Sequence, residues 1–427
     1  MSYEFRNGLE FAKALDAGDD LYQLRERFYL SEGEIYMDGN SLGLSSKDAE
    51  ESLLDVVRVW RREAIRIWGV EDGRYFKYSR KIAEKLKDLI HADAEEIIVM
   101  GSITTNIHQA LATFYKPTKE KYKIIVDELN FPTDIYAVKS LIELKGLEVE
   151  DVLVVVKSRD GHTISEEDII ARMDEDVALI LLPSVLYRSA QLLDMQKVTW
   201  EAHRRGILIG WDLAHSIGAV PHDFRKIDPD FAVWCSYKYL NGGPGATAGM
   251  FINRRHFTRS AGLRGWFGNK DETQFLLRHD FEQDSDANGW LLGTHPIFSM
   301  APLDGVLNIF REVGMERIRN KSLHITAYLM FLIDSRLAKY GFSIGNPRED
   351  DRRGGHVSLE HDEAYRISLA LRDNKVIPDY REPNVIRLAP VALYVSYEEV
   401  YHLVEILEKI VVEKEYERYS LSRVTVL

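Results

Sequence analysis

From about Ile97 to Ile252 the chain alternates short apolar, β-branched runs with amphipathic stretches, and no other feature restricts its fold as strongly. The series runs EIIVM, TTNIHQALATFY, YKIIVDEL, TDIYAVKSLIEL, VLVVV, SEEDIIARM, VALILLP, WEAHRRG, ILIGWDLAH and FAVWCSYKY. Strands buried on both faces are apolar throughout, and strands joined through helices lie parallel. The pattern therefore predicts an α/β fold, with a large domain whose mostly parallel central sheet is flanked by helices. Ligands of such sheets gather beyond the carboxyl ends of the strands.

The rest of the chain departs from this rhythm. Residues 304–339 predict one or two long helices closed by Gly341, and GHVSLEH, EAYRISLALRDNKV, NVIRLAP and YEEVYHLVEILEKIVVE then predict a smaller α/β domain. The first part, with helical pieces around DGNSLGLSS, is expected to pack beside that small domain or across a subunit interface. A length of 427 residues fits two or three domains, divided here as an N-terminal segment 1–60, a large domain 61–303 and a small domain 304–427. The end, EKEYERYSLSRVTVL, fits either a tail or a clasp on a partner subunit.

A formal net charge of −13 argues against a general nucleic-acid or anionic-membrane surface. The N-terminus has neither a basic start nor an apolar core, and no apolar run is long enough to span a bilayer, so the expected location is the cytoplasm. With Cys235 alone there is no intrachain disulfide, and no HExxH-like spacing suggests a metal.

Chemistry-bearing residues fall where the expected strands end. ILIGWDLAH closes on Asp212 and His215, FAVWCSYKY on Ser236, Tyr237 and Lys238, and VALILLP leads into Ser184 and Tyr187. An ammonium ion is disfavoured in apolar surroundings, and a lysine in its neutral form is a nucleophile for carbonyls. The same residues also fit plainer roles, with Lys238 marking where a strand surfaces and Asp212 serving as its ion-pair partner or as a helix cap. MGSITTN opens a helix with small and hydroxylic residues, a pattern shared by anion sites and ordinary caps, and Asp134 of NFPTD is equally divided between a cap and a ligand contact. Together an amine, an acid one strand away, a helix-start anion cradle and aromatic side chains match the needs of pyridoxal 5'-phosphate, and on these residues alone a nucleotide-binding α/β protein fits equally.

DGNSLGL, NFPTD, WDLAHSIGAVP, CSYKYLNGGPG, GWFG, GTHP and VIRLAPVALY occur in this order over almost the whole chain, and together they resemble the kynureninase family, pyridoxal-phosphate hydrolases of the aminotransferase fold type I superfamily. The resemblance implies that Lys238 is the Schiff-base lysine, that Asp212 faces the pyridine nitrogen and that His215 lies close by. It places Ile103, Thr104 and Tyr237 at the phosphate, Phe131, Pro132, Thr133 and Asp134 around the ring, and Ser184 in the same shell. It further implies a homodimer in which Trp266 and Thr294 reach across from the neighbouring subunit, with Arg387 gripping the substrate carboxylate and Tyr237 as proton donor. The implied reaction is hydrolysis of L-kynurenine to anthranilate and L-alanine. Animal members carry a Gly-His pair near Gly69 and Val70 and an asparagine near Thr294, features tied to 3-hydroxykynurenine, so valine and threonine here point to unsubstituted kynurenine. Trp68 fits either the aryl pocket or the core. The alternatives are a cysteine desulfurase-like lyase, for which Cys235 sits inside the expected strand as a packing residue, and a non-catalytic descendant of the fold.

Overall fold

The computed structural model describes residues 3–420. Seven strands form the large sheet: β1 (Ile97–Val99), β2 (Lys123–Asp127), β3 (Leu153–Val156), β4 (Val177–Pro183), β5 (Leu208–Asp212), β6 (Phe231–Trp234) and β7 (Gly249–Ile252). Their order across the sheet is β1-β7-β6-β5-β4-β2-β3, and only β7 runs against the others. Strict side-chain alternation explains why these runs are apolar throughout. Ile98, Ile124, Leu181 and Val233 enter the core on one face, while Ile97, Ile125, Leu182 and Trp234 enter the core on the other.

Helices follow where the sequence places them, with local corrections. SEEDIIARM yields only the short helix Glu166–Ile170. The long helical stretch is two helices, Ile297–Val313 and Met315–Leu332, separated by Gly314 at φ 80°. The first begins seven residues before the boundary expected at 304 and carries Pro302 inside it. As the sixth residue of the helix, Pro302 gives up one backbone bond, to the Phe298 carbonyl, and the element passes through a residue that in sequence resembles a break. FAVWCSYKY stops being a strand at Trp234, which moves Cys235 off the sheet and onto its rim.

The C-terminal part carries an antiparallel sheet of Asp379–Arg381, Val385–Leu388, Val357–Glu360 and Ser343–Ile344, in that order, backed by the helix Ala364–Asp373, on which the helix Tyr397–Val412 packs. The N-terminal segment lies against it. Ile35–Tyr36 pairs in parallel with Val376–Ile377, Arg25 meets Glu399 at 2.6 Å, and Asp16 accepts from the backbone N–H groups of Tyr397 and Glu398. The helix Lys47–Glu63 packs along Ile297–Val313, closely enough that a Cβ at Gly305 would stand 2.2 Å from the carbonyl oxygen of Asp48. Among the described residues no helix is long and apolar enough to cross a membrane. Of the C-terminal stretch, Glu415–Arg418 forms one short turn of helix. Residues 421–427, on which the choice between tail and clasp turns, lie outside the described residues.

Candidate active site

The carboxyl ends of β4, β5 and β6 open into a cavity of about 250 Å³, closed on the other side by the N-terminal segment and the small antiparallel sheet. Parallel strands all point their carboxyl ends to one edge, so residues far apart in sequence meet there.

Asp212 is the last residue of β5, and its Oδ1 accepts from Ala214 N at 2.7 Å. The chain leaves β6 at Trp234 and brings Lys238 back over the rim, where its Nζ stands 2.9 Å from His215 Nε2. Burial pushes Asp212 up to about 6, opposed by the Lys238 cation. The His215 imidazole is held well below its ordinary value, first by burial and then by Lys238 and Arg387, so it stays neutral and its ring nitrogen can accept from the lysine. Asp134, from the first turn of the helix Pro132–Leu144, is fully buried, and burial, then Asp212 and Asp127, pushes its carboxyl well above the usual range. Phe131 stands at the mouth with its ring edge-on to Tyr187 and the Lys238 ammonium 5.9 Å from its centroid.

The anion cradle forms where β1 passes into the helix Ile103–Phe114. Gly101 turns the chain at φ 52°, and Ser102 caps the helix by accepting from Thr105 N at 3.2 Å. Ser102 is therefore a cap, while the N–H groups of Ile103 and Thr104 have no acceptor among the described residues and lie on the cavity wall. Tyr237 lies across the cavity. Burial raises its hydroxyl pKa, so it remains a donor at any working pH.

Lys238, Tyr237, Asp212, His215, Ile103, Thr104, Phe131, Thr133, Asp134 and Arg387 thus share one cavity, which is the greater part of the set expected from sequence. Pro132 begins its helix on the outside instead. Ser184 is wholly buried behind Asp212, donating to the Asp212 carbonyl at 3.0 Å and bonded to Ser216, so it braces the acid. Trp266 and Thr294 are away from the cavity within this chain; Trp266 is 40% exposed and Thr294 lines a separate apolar groove with Trp60, Ile65 and Trp68. Asn40, Ser41, Cys235 and Arg381 also line the cavity and were not singled out as site residues. The turn motif DGNSLGL held the signal for the first two. Cys235 is not a mere packing residue, since its thiol faces the site beside Tyr237; burial pushes its pKa up.

The donor set fits pyridoxal phosphate on its own terms. A primary amine awaits an aldehyde, two unused helix-start N–H groups await an anion, and Asp134 Oδ2 and His215 Nδ1 are buried polar atoms with no partner among the described residues.

Comparison with known proteins agrees with this geometry. Residues 318–407 match the family described as Kynureninase C-terminal domain. The chain is 52% identical over 97% of its length to Kynureninase of Geobacillus thermodenitrificans, and 54% identical over 98% to Kynureninase of Bacillus thuringiensis subsp. konkukian, covering 97% and 98% of those proteins. Among solved structures, a cysteine desulfurase from Thermococcus onnurineus superimposes with a TM-score of 0.79 at 17% identity, covering 96% of this chain and all of that one. A cysteine desulfurase from Escherichia coli gives 0.77 at 16% identity, over 92% of this chain and 99% of the other. Those two likenesses establish the aminotransferase-type fold, which desulfurases share.

Proposed function

The chain belongs to the kynureninase family and carries out that family's pyridoxal-phosphate-dependent hydrolysis of L-kynurenine to anthranilate and L-alanine, a step of tryptophan catabolism; we propose that Lys238, Asp212 and Tyr237 are its catalytic residues. The observation that carries the assignment is Lys238 Nζ at 2.9 Å from a neutral His215 with the Asp212 carboxylate in the same cavity. Bound there, pyridoxal phosphate supplies an aldehyde for exchange with amines and a ring that takes up electrons from the substrate.

Lys238 Nζ would hold the cofactor's aldehyde and is the base placed to take the substrate's Cα proton. Asp212, ionised above about pH 6, would be the acidic partner of the ring nitrogen. Ile103 and Thr104 would hold the phosphate with backbone N–H groups, and Tyr237 would supply a hydroxyl proton late in the reaction. Phe131 and Thr133 would hold the ring from the open side, beside Asp134, whose carboxyl burial and then Asp212 push well above the usual range. The desulfurase alternative asks for a mobile, ionisable cysteine, and Cys235 is a buried thiol with its pKa raised.

The active unit in this reading is a homodimer in which Trp266 and Thr294 of a second copy complete the site. In support, Trp60, Ile65 and Phe298 are 57%, 78% and 46% exposed around the apolar groove that holds Thr294, and Phe275, Leu276 and Leu277 are exposed beside Trp266. Val70 and Thr294 lack the imidazole and amide associated with a ring hydroxyl, which supports unsubstituted kynurenine as the preferred substrate over 3-hydroxykynurenine.

The first test is an absorbance spectrum of the purified protein followed by L-kynurenine with fluorescence detection of anthranilate. A visible cofactor band with anthranilate release is expected. A band without anthranilate would overturn the substrate, and no band after adding pyridoxal phosphate would overturn the role of Lys238.

A further inference from the structure

Resting on that reaction, we propose that the side-chain amide of Asn40 holds the ortho-amino ketone of the substrate, its Nδ2 donating to the ketone oxygen and its Oδ1 accepting from the ring amine. The turn that carries Asn40 is fixed from within and from behind. The Asp38 carbonyl accepts from Ser41 N at 2.9 Å and from Leu42 N at 3.1 Å, and a Cβ on Gly39 would stand 2.2 Å from the Tyr394 hydroxyl. Ser41 Oγ accepts from Arg387 Nη2 at 2.9 Å, and Gly43 N donates to the Tyr237 carbonyl at 2.8 Å. Asn40 thus belongs to a turn held at once by Arg387 and by the loop of Lys238, and it lines the same cavity as both. Its Oδ1 and Nδ2 are buried, and neither has a partner among the described residues. A buried amide left unpaired is costly, so its donor and its acceptor together mark a ligand group that the cavity receives.

The chemistry of the groups that enter the cavity selects among them. Phosphate and carboxylate oxygens only accept, so either would satisfy Nδ2 and set an anion against Oδ1. The free N–H groups of Ile103 and Thr104 already offer the phosphate its donors, and Asp212 is the partner proposed for the ring nitrogen. An ortho-amino ketone presents an acceptor and a donor side by side, and a primary amide presents a donor and an acceptor at a matching spacing. The same pairing lets an asparagine read the adjacent amine and ring nitrogen of adenine. In L-kynurenine that pair lies on the aryl ketone, the part of the substrate that leaves as anthranilate. L-Alanine has neither group, and an aryl ketone without the ring amine keeps only the acceptor.

The test uses the holoenzyme with L-kynurenine, with its analogue lacking the ring amine, and with L-alanine as an inhibitor. In Asn40→Ala, kcat/KM for L-kynurenine should fall roughly 10- to 100-fold, the range of two hydrogen bonds, and that for the analogue roughly 3- to 10-fold, the range of one. Asn40→Leu, close to asparagine in size but without its polar atoms, should give the same pattern and guards against collapse of the turn in the alanine variant. The inhibition constant of L-alanine and the affinity for pyridoxal phosphate should stay within twofold in both variants, whereas a merely structural residue would weaken all the ligands together. An equal loss for the two substrates overturns the proposal, as does a kcat/KM for L-kynurenine within threefold of wild type, the result expected if water alone fills the bonds of the amide. Weaker uptake of pyridoxal phosphate would assign Asn40 to the cofactor and overturn it as well. Failure of the wild-type protein to release anthranilate would instead overturn the assigned reaction, and titration of the cofactor band with the two aryl ketones would still report on Asn40.

Discussion

Single residues in this site owe their behaviour to burial more than to their own chemistry. Lys238 is the one amine in the cavity, and Lys238→Ala should abolish anthranilate release and the visible band, checked in one spectrum with and without substrate. Asp212 carries a pH dependence whose sign follows from its environment. Burial raises it to about 6, so the carboxylate proposed as the partner of the ring nitrogen is present above that pH and lost below it. Uptake of pyridoxal phosphate by the apoprotein should therefore weaken as pH falls through about 6, measured by absorbance titration between pH 5 and pH 8. Asp127, at the end of β2, is raised to about 7 by burial, which outweighs the backbone N–H groups it holds, among them that of Leu129 at Oδ1. Its folded-state pKa lies above its unfolded value, so the folded form binds the extra proton and loses stability as pH rises from about 4 through 7. Asp127→Asn keeps the acceptor and removes the charge; it should stabilise the protein by about 1–3 kcal/mol at pH 8 and change little at pH 4, read by thermal melts.

At the scale of elements, the segment Asp38–Gly43 ties the two halves of the site together. Asp38 bridges Ala389, Ser41 accepts from Arg387, and Gly43 N donates to the carbonyl of Tyr237 at 2.8 Å. A Cβ on Gly43 would stand 2.4 Å from the carbonyl of Lys238 and 2.3 Å from Asn241 Oδ1, so backbone and not a flexible side chain would have to yield. Gly43→Ala should destabilise by about 1–3 kcal/mol and lower kcat by displacing the lysine loop, checked by a melt and a kinetic profile on the same sample. The turn was visible in DGNSLGLSS, but its role as a strap was not, because nothing local says which loops a turn will touch. The hairpin that carries Arg381 and Arg387 shows the same limit. VIRLAP stands out as an apolar run, whereas Asp379 and Arg381 lie on a three-residue strand whose contact with Arg387 exists only through its register, with Asp379 opposite Arg387.

At the scale of the whole molecule, the expected dimer gives a test that no single chain can satisfy. Lys238→Ala and Trp266→Ala proteins, each inactive alone, should regain activity when mixed and allowed to exchange subunits, up to about a quarter of wild type if hybrid dimers form at random and carry one intact site. No recovery, with exchange verified by sedimentation of tagged subunits, would place Trp266 outside the partner's site. The parallel sheet, the rim where Asp212, His215 and Lys238 meet and the helix-start cradle were legible in the chain, because strand periodicity, helix starts and the edge rule for parallel sheets are local or nearly local physics. What the tertiary structure alone decided was which polar groups already had partners. Ser184 turned out to brace Asp212 and Ser102 to cap a helix, while Arg387 proved bonded to Asp379, Ser41 and the Tyr187 carbonyl. A sequence names donors and acceptors, but whether a donor is still free depends on hydrogen bonds between residues hundreds of positions apart, and those exist only once the chain has folded.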